Sequence, residues 1–126
     1  MLYKHCCKRF HDGTPAPTAL DLMRSRYSAY ALKLIDYIIN TTHPQNPGRK
    51  PKINIWKKEL MQFAQSTSFD GLRIIEFTDS GQTATVTFTA HLRQGGRDAG
   101  FTEKSYFEKV DGRWMYKNGD TQKVLS

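Results

Sequence analysis

Apolar residues recur every three or four positions as far as residue 65, and every second position after Ser68. The first spacing is that of a helix face and the second that of a strand face, so helices come first and strands follow. Ala19, Met23, Arg26, Tyr30 and Leu34 share one stripe, with Leu20 and Tyr27 beside it, and predict a helix over Thr18–Leu32. Pro17 suits its entry, and Thr18 with Asp21 forms an acidic version of the capping box. A short helix is expected over Leu34–Thr41, closed by His43-Pro44 because a proline disfavours helix in the residue before it. Pro44–Lys52 reads as a surface loop. A third helix is expected over Ile53–Gln65, with Ile55, Trp56, Leu60, Phe63 and Ala64 as its core stripe.

Leu72, Ile74 and Glu76 then alternate with Arg73, Ile75 and Phe77, and Asp79-Ser80-Gly81 makes a turn. Ala84, Val86, Phe88, Ala90 and Leu92 alternate with Thr83, Thr85, Thr87, Thr89 and His91, giving a strand with one apolar and one threonine-rich face. A third strand covers Phe101–Glu108, Asp111-Gly112 is a two-residue hairpin signal, and Arg113–Lys117 returns as the last strand. Asn118-Gly119-Asp120 reads as a final turn. The order predicts an α+β domain, with N-terminal helices packed on a curved antiparallel sheet of about four strands. Such a sheet wraps around the first helix and leaves a cavity at its open end.

At 126 residues the chain suits a single core, with residues 16–126 as the domain and the polar, basic Met1–Pro15 as an irregular segment before it. It has no long apolar run, so no membrane partner is expected. The two cysteines, Cys6 and Cys7, are neighbours and offer no disulfide framework, which fits a cytoplasmic location. The net charge of +7 draws attention to Arg49, Lys50, Lys52, Lys57 and Lys58, which meet no acid before Glu59. Such a run is either solvated surface or a patch for nucleic-acid phosphates, and no RNA-binding motif accompanies it.

Candidate chemistry centres on the first helix. Arg24 and Arg26 lie about 200° apart around it, so one of them approaches the packed side and needs an acceptor. It serves either in a salt bridge, with Glu76 or Glu103 as the expected partner, or as an anion-binding group in a pocket. Both glutamates fall in register with apolar positions. Tyr27, Tyr30, Trp114 and His91 complete the pocket candidates, against a plainer reading as core aromatics and a solvent-facing histidine. His43 is expected to cap the exit of the second helix. The chain carries no HExxH, GxSxG or phosphate-binding glycine loop.

Three blocks resemble one family. They are Cys6-Cys7 to Gly13 with Ala16–Tyr30, whose hallmark is Met23-Arg24-Ser25-Arg26-Tyr27-Ser28-Ala29-Tyr30; Asp36-Tyr37 with Thr41-Thr42-His43-Pro44; and Glu103-Lys104-Ser105-Tyr106-Phe107 with Asp111-Gly112-Arg113-Trp114-Met115-Tyr116. Together they resemble the bacterial YchJ-like proteins, whose central domain has the NTF2-like, cystatin-type cone fold. That resemblance implies a partial SEC-C-type metal motif over residues 1–15, because Tyr3-Lys4-His5-Cys6-Cys7 looks like its second half. Cys6 and Cys7, with His5 and His11 as substitutes, fall short of a four-ligand zinc site. No cofactor is therefore expected in this chain, and zinc only if the missing N-terminal cysteines are restored. Where this chain has Lys104 the family tends to have arginine, and it tends to have glycine near Lys33. The first-ranked function is a non-catalytic binding or protein-interaction module. The alternatives are a small-molecule binder or enzyme using the cone, and a nucleic-acid or ribosome-associated protein using the basic run.

Overall fold

The computed structural model describes residues 7–122. Among these residues four helices come first: α1 (Lys8–His11), α2 (Ala19–Ala31), α3 (Ile35–Asn40) and α4 (Ile53–Gln65). Five strands follow: β1 (Thr67–Asp79), β2 (Thr83–Gln94), the two-residue β3 (Arg97–Asp98), β4 (Phe101–Val110) and β5 (Arg113–Gln122). The antiparallel sheet has the order β1-β2-β4-β5, with β3 pairing to β2. The α+β architecture read from the period change is the one observed.

The caps explain where α2 begins and ends. The Thr18 side chain accepts the Asp21 backbone N–H at 3.1 Å. At the other end Leu34 N–H reaches the Ala29 carbonyl and Lys33 N–H the Tyr30 carbonyl, a Schellman closure. Lys33 sits at φ 61°, in the left-handed region that favours glycine, and the family resemblance expects a glycine near it. Asp111 and Gly112 both have positive φ, as the tight hairpin between β4 and β5 requires.

The main core lies between α2 and the inner face of the sheet. Ala19, Leu22 and Met23 meet Ala84, Val86, Phe88, Ala90 and Leu92 of β2, together with Phe107 and Trp114. A second cluster joins Ile35 and Ile39 of α3 to Trp56 and Ala64 of α4. Here the expected stripe of α4 is corrected. Trp56 and Ala64 are buried and Leu60 half-buried, at i, i+8 and i+4, whereas Ile55 is 49% exposed and Phe63 36%. The helix rests on α3 and the start of β1 through one narrow ridge, which leaves Ile53 and Ile55 outside it.

Three register shifts shape the sheet. β1 slips against β2 between Phe69 and Gly71 and again between Ile74 and Glu76, which makes Asp70 and Ile75 the extra residues. Phe69, Leu72, Ile74 and Phe77 thereby keep to the inner face. β5 slips against β4 at Lys117, since Tyr106 faces Asn118 while Phe107 faces Tyr116. The expected turn at Asn118-Gly119-Asp120 is instead a continuation of the strand past this bulge. A glycine inside a strand is the sequence mark of such a place.

The expected irregularity of the N-terminal segment is also corrected for its described part. Cys7 and Phe10 are buried, and His11 Nε2 donates to the Ser25 carbonyl at 2.7 Å. His43 does more than end α3. Its Nδ1 accepts the Gln45 backbone N–H, so Nε2 carries the proton and donates to Glu108 Oε1 at 2.8 Å. That bond is the first cause holding the Glu108 carboxyl below its ordinary range. A carboxyl depressed by folding adds stability above its unfolded value of about 4.3 and loses that contribution as pH falls through the lower folded value. The thermal midpoint of Glu108→Gln should therefore lie below that of the native protein at pH 7, and the gap should close as the melts are taken to pH 3.

Candidate functional site

The cone holds a cavity of about 180 Å³. Its walls are apolar, from Phe88, Ala90 and Leu92 on β2, Phe101 and Phe107 on β4, and Met23 on α2. Strand alternation points these side chains inward together, while the threonines of β2 face the other way. At the mouth stand Tyr30, Phe63 and Phe69, with ring centroids 5.7–6.3 Å apart. Tyr27 fixes one side of that mouth. Its hydroxyl donates to the Gly71 carbonyl at 2.8 Å and accepts the Gly71 N–H at 2.9 Å, which ties α2 to the bulged part of β1. Burial is the main cause that raises the Tyr27 phenol above its usual range.

The polar end of the cavity is made by Arg26, Glu103, Ser105 and Tyr116. Arg26 is 9% exposed. Its Nη1 donates to the Ile38 carbonyl at 3.0 Å, Thr41 Oγ1 at 2.8 Å and Thr42 Oγ1 at 3.1 Å. Its guanidinium lies 4.7 Å from the centroid of the Tyr116 ring. Ser105, Tyr116 and Thr121 all donate hydroxyl hydrogen bonds to the Glu103 carboxylate, the last two at 3.2 and 3.3 Å. Burial foremost, and then the charge of Glu103, push the Tyr116 phenol far up, so it stays a donor. Gly119 makes this arrangement fit, because a Cβ there would collide with the Glu103 carboxyl group.

The candidates from sequence divide cleanly. Arg26, Tyr27, Tyr30 and Glu103 are brought together in the cavity. Arg24 is exposed on the opposite side of α2, as the 200° spacing requires for one of the pair. Glu76 is exposed because the extra residue Ile75 turns it to the outer face opposite Thr87. His91 is exposed on the outer face, between the inward Ala90 and Leu92. Trp114 is buried at the other end of α2, beside Phe10 and Leu22, with the Lys109 ammonium 5.2 Å from its ring centroid. The expected ion pair of Arg26 with Glu76 or Glu103 is replaced by the carbonyl, the two threonines and the Tyr116 ring. Ser105 and Gly119 escaped notice in sequence. Ser105 carried a readable signal, since it lies two residues from Glu103 and so on the same strand face.

The members of the basic run have different surroundings. Arg49 folds inward, donating to the Thr42 carbonyl at 3.0 Å with its guanidinium 5.0 Å from the Trp56 ring centroid. Lys57 pairs with Asp36 at 3.0 Å and Lys50 with Glu59 at 3.9 Å. Lys52 and Lys58 are exposed. Of the metal candidates, His5 and Cys6 lie outside the described residues. Cys7 is 2% exposed with the Ser28 hydroxyl on its sulfur, and His11 is engaged with Ser25. The described residues do not fit a zinc site: no group of three His, Cys, Asp or Glu side chains converges among them.

Comparison with known proteins places this geometry. Residues 18–119 match the family model described as "YchJ, middle NTF2-like domain". A UPF0225 protein of Bordetella pertussis is 41% identical over 122 residues, which is 94% of this chain and 85% of that protein. The solution structure of a SEC-C motif containing protein from Rhodopseudomonas palustris superposes with a TM-score of 0.81 at 32% identity, over 96% of this chain and 92% of that one. An NTF2-like protein from Cytophaga hutchinsonii shares the fold alone, with a TM-score of 0.61 at 11% identity over 83% of this chain and 94% of that one.

Two outcomes follow from the polar end. Arg26→Lys keeps the charge but loses the planar guanidinium that lies over Tyr116 and carries Nη1 to its three acceptors, and should cost about 1.5–3 kcal/mol in urea unfolding. Gly119→Ala should cost about 1–3 kcal/mol by overpacking against Glu103. The second cost should largely vanish when Gly119→Ala is made in a Glu103→Ala background, a coupling that a double-mutant cycle reads directly.

Proposed function

The chain belongs to the YchJ family of NTF2-like middle domains, and from that premise we propose that it is a non-catalytic binding domain whose cone holds a small ligand. One observation supports the reading above the rest. The two charged groups lining the cavity are fixed by bonds to the protein itself, Arg26 by a helix end and Glu103 by three hydroxyls. Acid–base work needs a group whose proton can move to a substrate. Here the carboxylate is already held by neighbouring donors, and no histidine lines the cavity. What the arrangement offers is an apolar chamber with an orienting polar end, the usual composition of a ligand pocket.

The cytoplasm is the setting we assign to it, because the two neighbouring cysteines offer no disulfide framework. Zinc enters this reading only with cysteines beyond those of this chain. The helices of the described residues include none long and apolar enough to cross a membrane.

Toluene and benzyl alcohol, added to the labelled protein, should shift the NMR signals of Phe88 and Phe101. Ala90→Phe, which fills the chamber, should abolish those shifts while the protein remains folded. If neither compound binds, or if both bind as well after Ala90→Phe, the reading is wrong.

A further inference from the structure

Resting on that reading, we infer that the cavity selects a neutral, one-ring aromatic molecule carrying both a hydrogen-bond donor and an acceptor, such as an aromatic primary amide or alcohol. Size sets the first limit. A chamber of about 180 Å³ is close to the roughly 150 Å³ that accommodates benzene, and below the roughly 300 Å³ at which pockets for drug-sized molecules begin. A single ring with a short substituent fills it.

Unspent hydrogen-bonding capacity sets the second limit. Arg26 has five N–H donors, and its protein partners all sit on Nη1. Nη2 and Nε meet no acceptor among the described residues, yet they are not sealed off. Trp114 Nε1 is the one fully enclosed side-chain nitrogen or oxygen without a partner among those residues. Arg26 lines the cavity, so an acceptor placed there has these guanidinium donors to meet. The Glu103 carboxylate has about four acceptor positions, of which three hydroxyls take three. One position remains for a donor.

Charge sets the third. Arg26 lies over the ring of Tyr116 and Glu103 at its hydroxyl, so one positive and one negative group already flank the same phenol. A neutral ligand leaves that balance intact. A carboxylate or an ammonium would bring a further charge into an apolar chamber without a counter-charge of its own, which is costly. A hydrocarbon would bury the Arg26 and Glu103 sites unmatched.

Titration calorimetry with benzamide, benzyl alcohol, toluene, benzoate and benzylammonium tests the inference on the native protein. Benzamide and benzyl alcohol should bind at least about tenfold more tightly than the other three, the equivalent of one hydrogen bond to a charged group. Glu103→Gln removes the negative charge at nearly constant shape, and should raise the affinity for benzoate relative to benzamide by about tenfold. Benzoate or benzylammonium binding the native protein within about threefold of benzamide overturns the charge rule. Toluene binding as tightly as benzamide overturns the hydrogen-bond rule and leaves the cavity reading standing. Failure of all five to bind sinks the cavity reading as well.

Discussion

Arg26 is the point on which the architecture turns. A charged guanidinium is placed among helices and a sheet, with no carboxylate within ion-pair distance among the described residues. It is made tolerable by the negative end of α3, through the Ile38 carbonyl and the two threonines that follow the helix, and by the face of Tyr116. Each of these partners belongs to a different part of the fold from Arg26 itself. Satisfying one side chain therefore fixes α2 against α3, and both against β5. The backbone completes the junction, since Tyr116 N–H donates to the Thr41 carbonyl and His43 N–H to the Tyr116 carbonyl. The segment after α3 thus runs alongside β5 as a single parallel bridge.

The cavity is a consequence of that junction. With Tyr116 held from one side by Arg26 and from the other by Glu103, its ring cannot fall into the space beside Phe88 and Phe101. Gly119 contributes by what it lacks, because the Glu103 carboxyl occupies the volume a side chain would take. The chamber is kept open by polar bonds at its floor and by an aromatic cluster at its rim, with apolar walls between.

Much of this was legible from the amino-acid pattern, and the rest was hidden for definable reasons. The change of period after Ser68 located every helix but α1 and every long strand, because burial of one face is enough to set each period. The 200° between Arg24 and Arg26 correctly required that only one approach the core. Bulges are what pattern reading could not supply. One extra residue at position 75 sends Glu76 outward, and one at 117 lets β5 run on to Gln122. Alternation read along the chain loses phase at each shift, and the glycine beside the second reads as readily as a turn. The partners of Arg26 were equally hidden. A carbonyl and two threonines leave no charge pattern, whereas the glutamates that seemed the natural counter-ions do.

The bulges of β1 also bear on how the molecule behaves among its own copies. β1 lies at one edge of the sheet, and at thirteen residues it is long enough to template a strand from another chain. Two interruptions break the regular run of hydrogen-bonding groups along that edge, and Tyr27 takes up the N–H and C=O of Gly71 beside one of them. At the opposite edge the segment from Thr41 to His43 occupies β5 around Tyr116. Both margins of the sheet are thus interrupted as templates for intermolecular pairing by the same features that shape the cone.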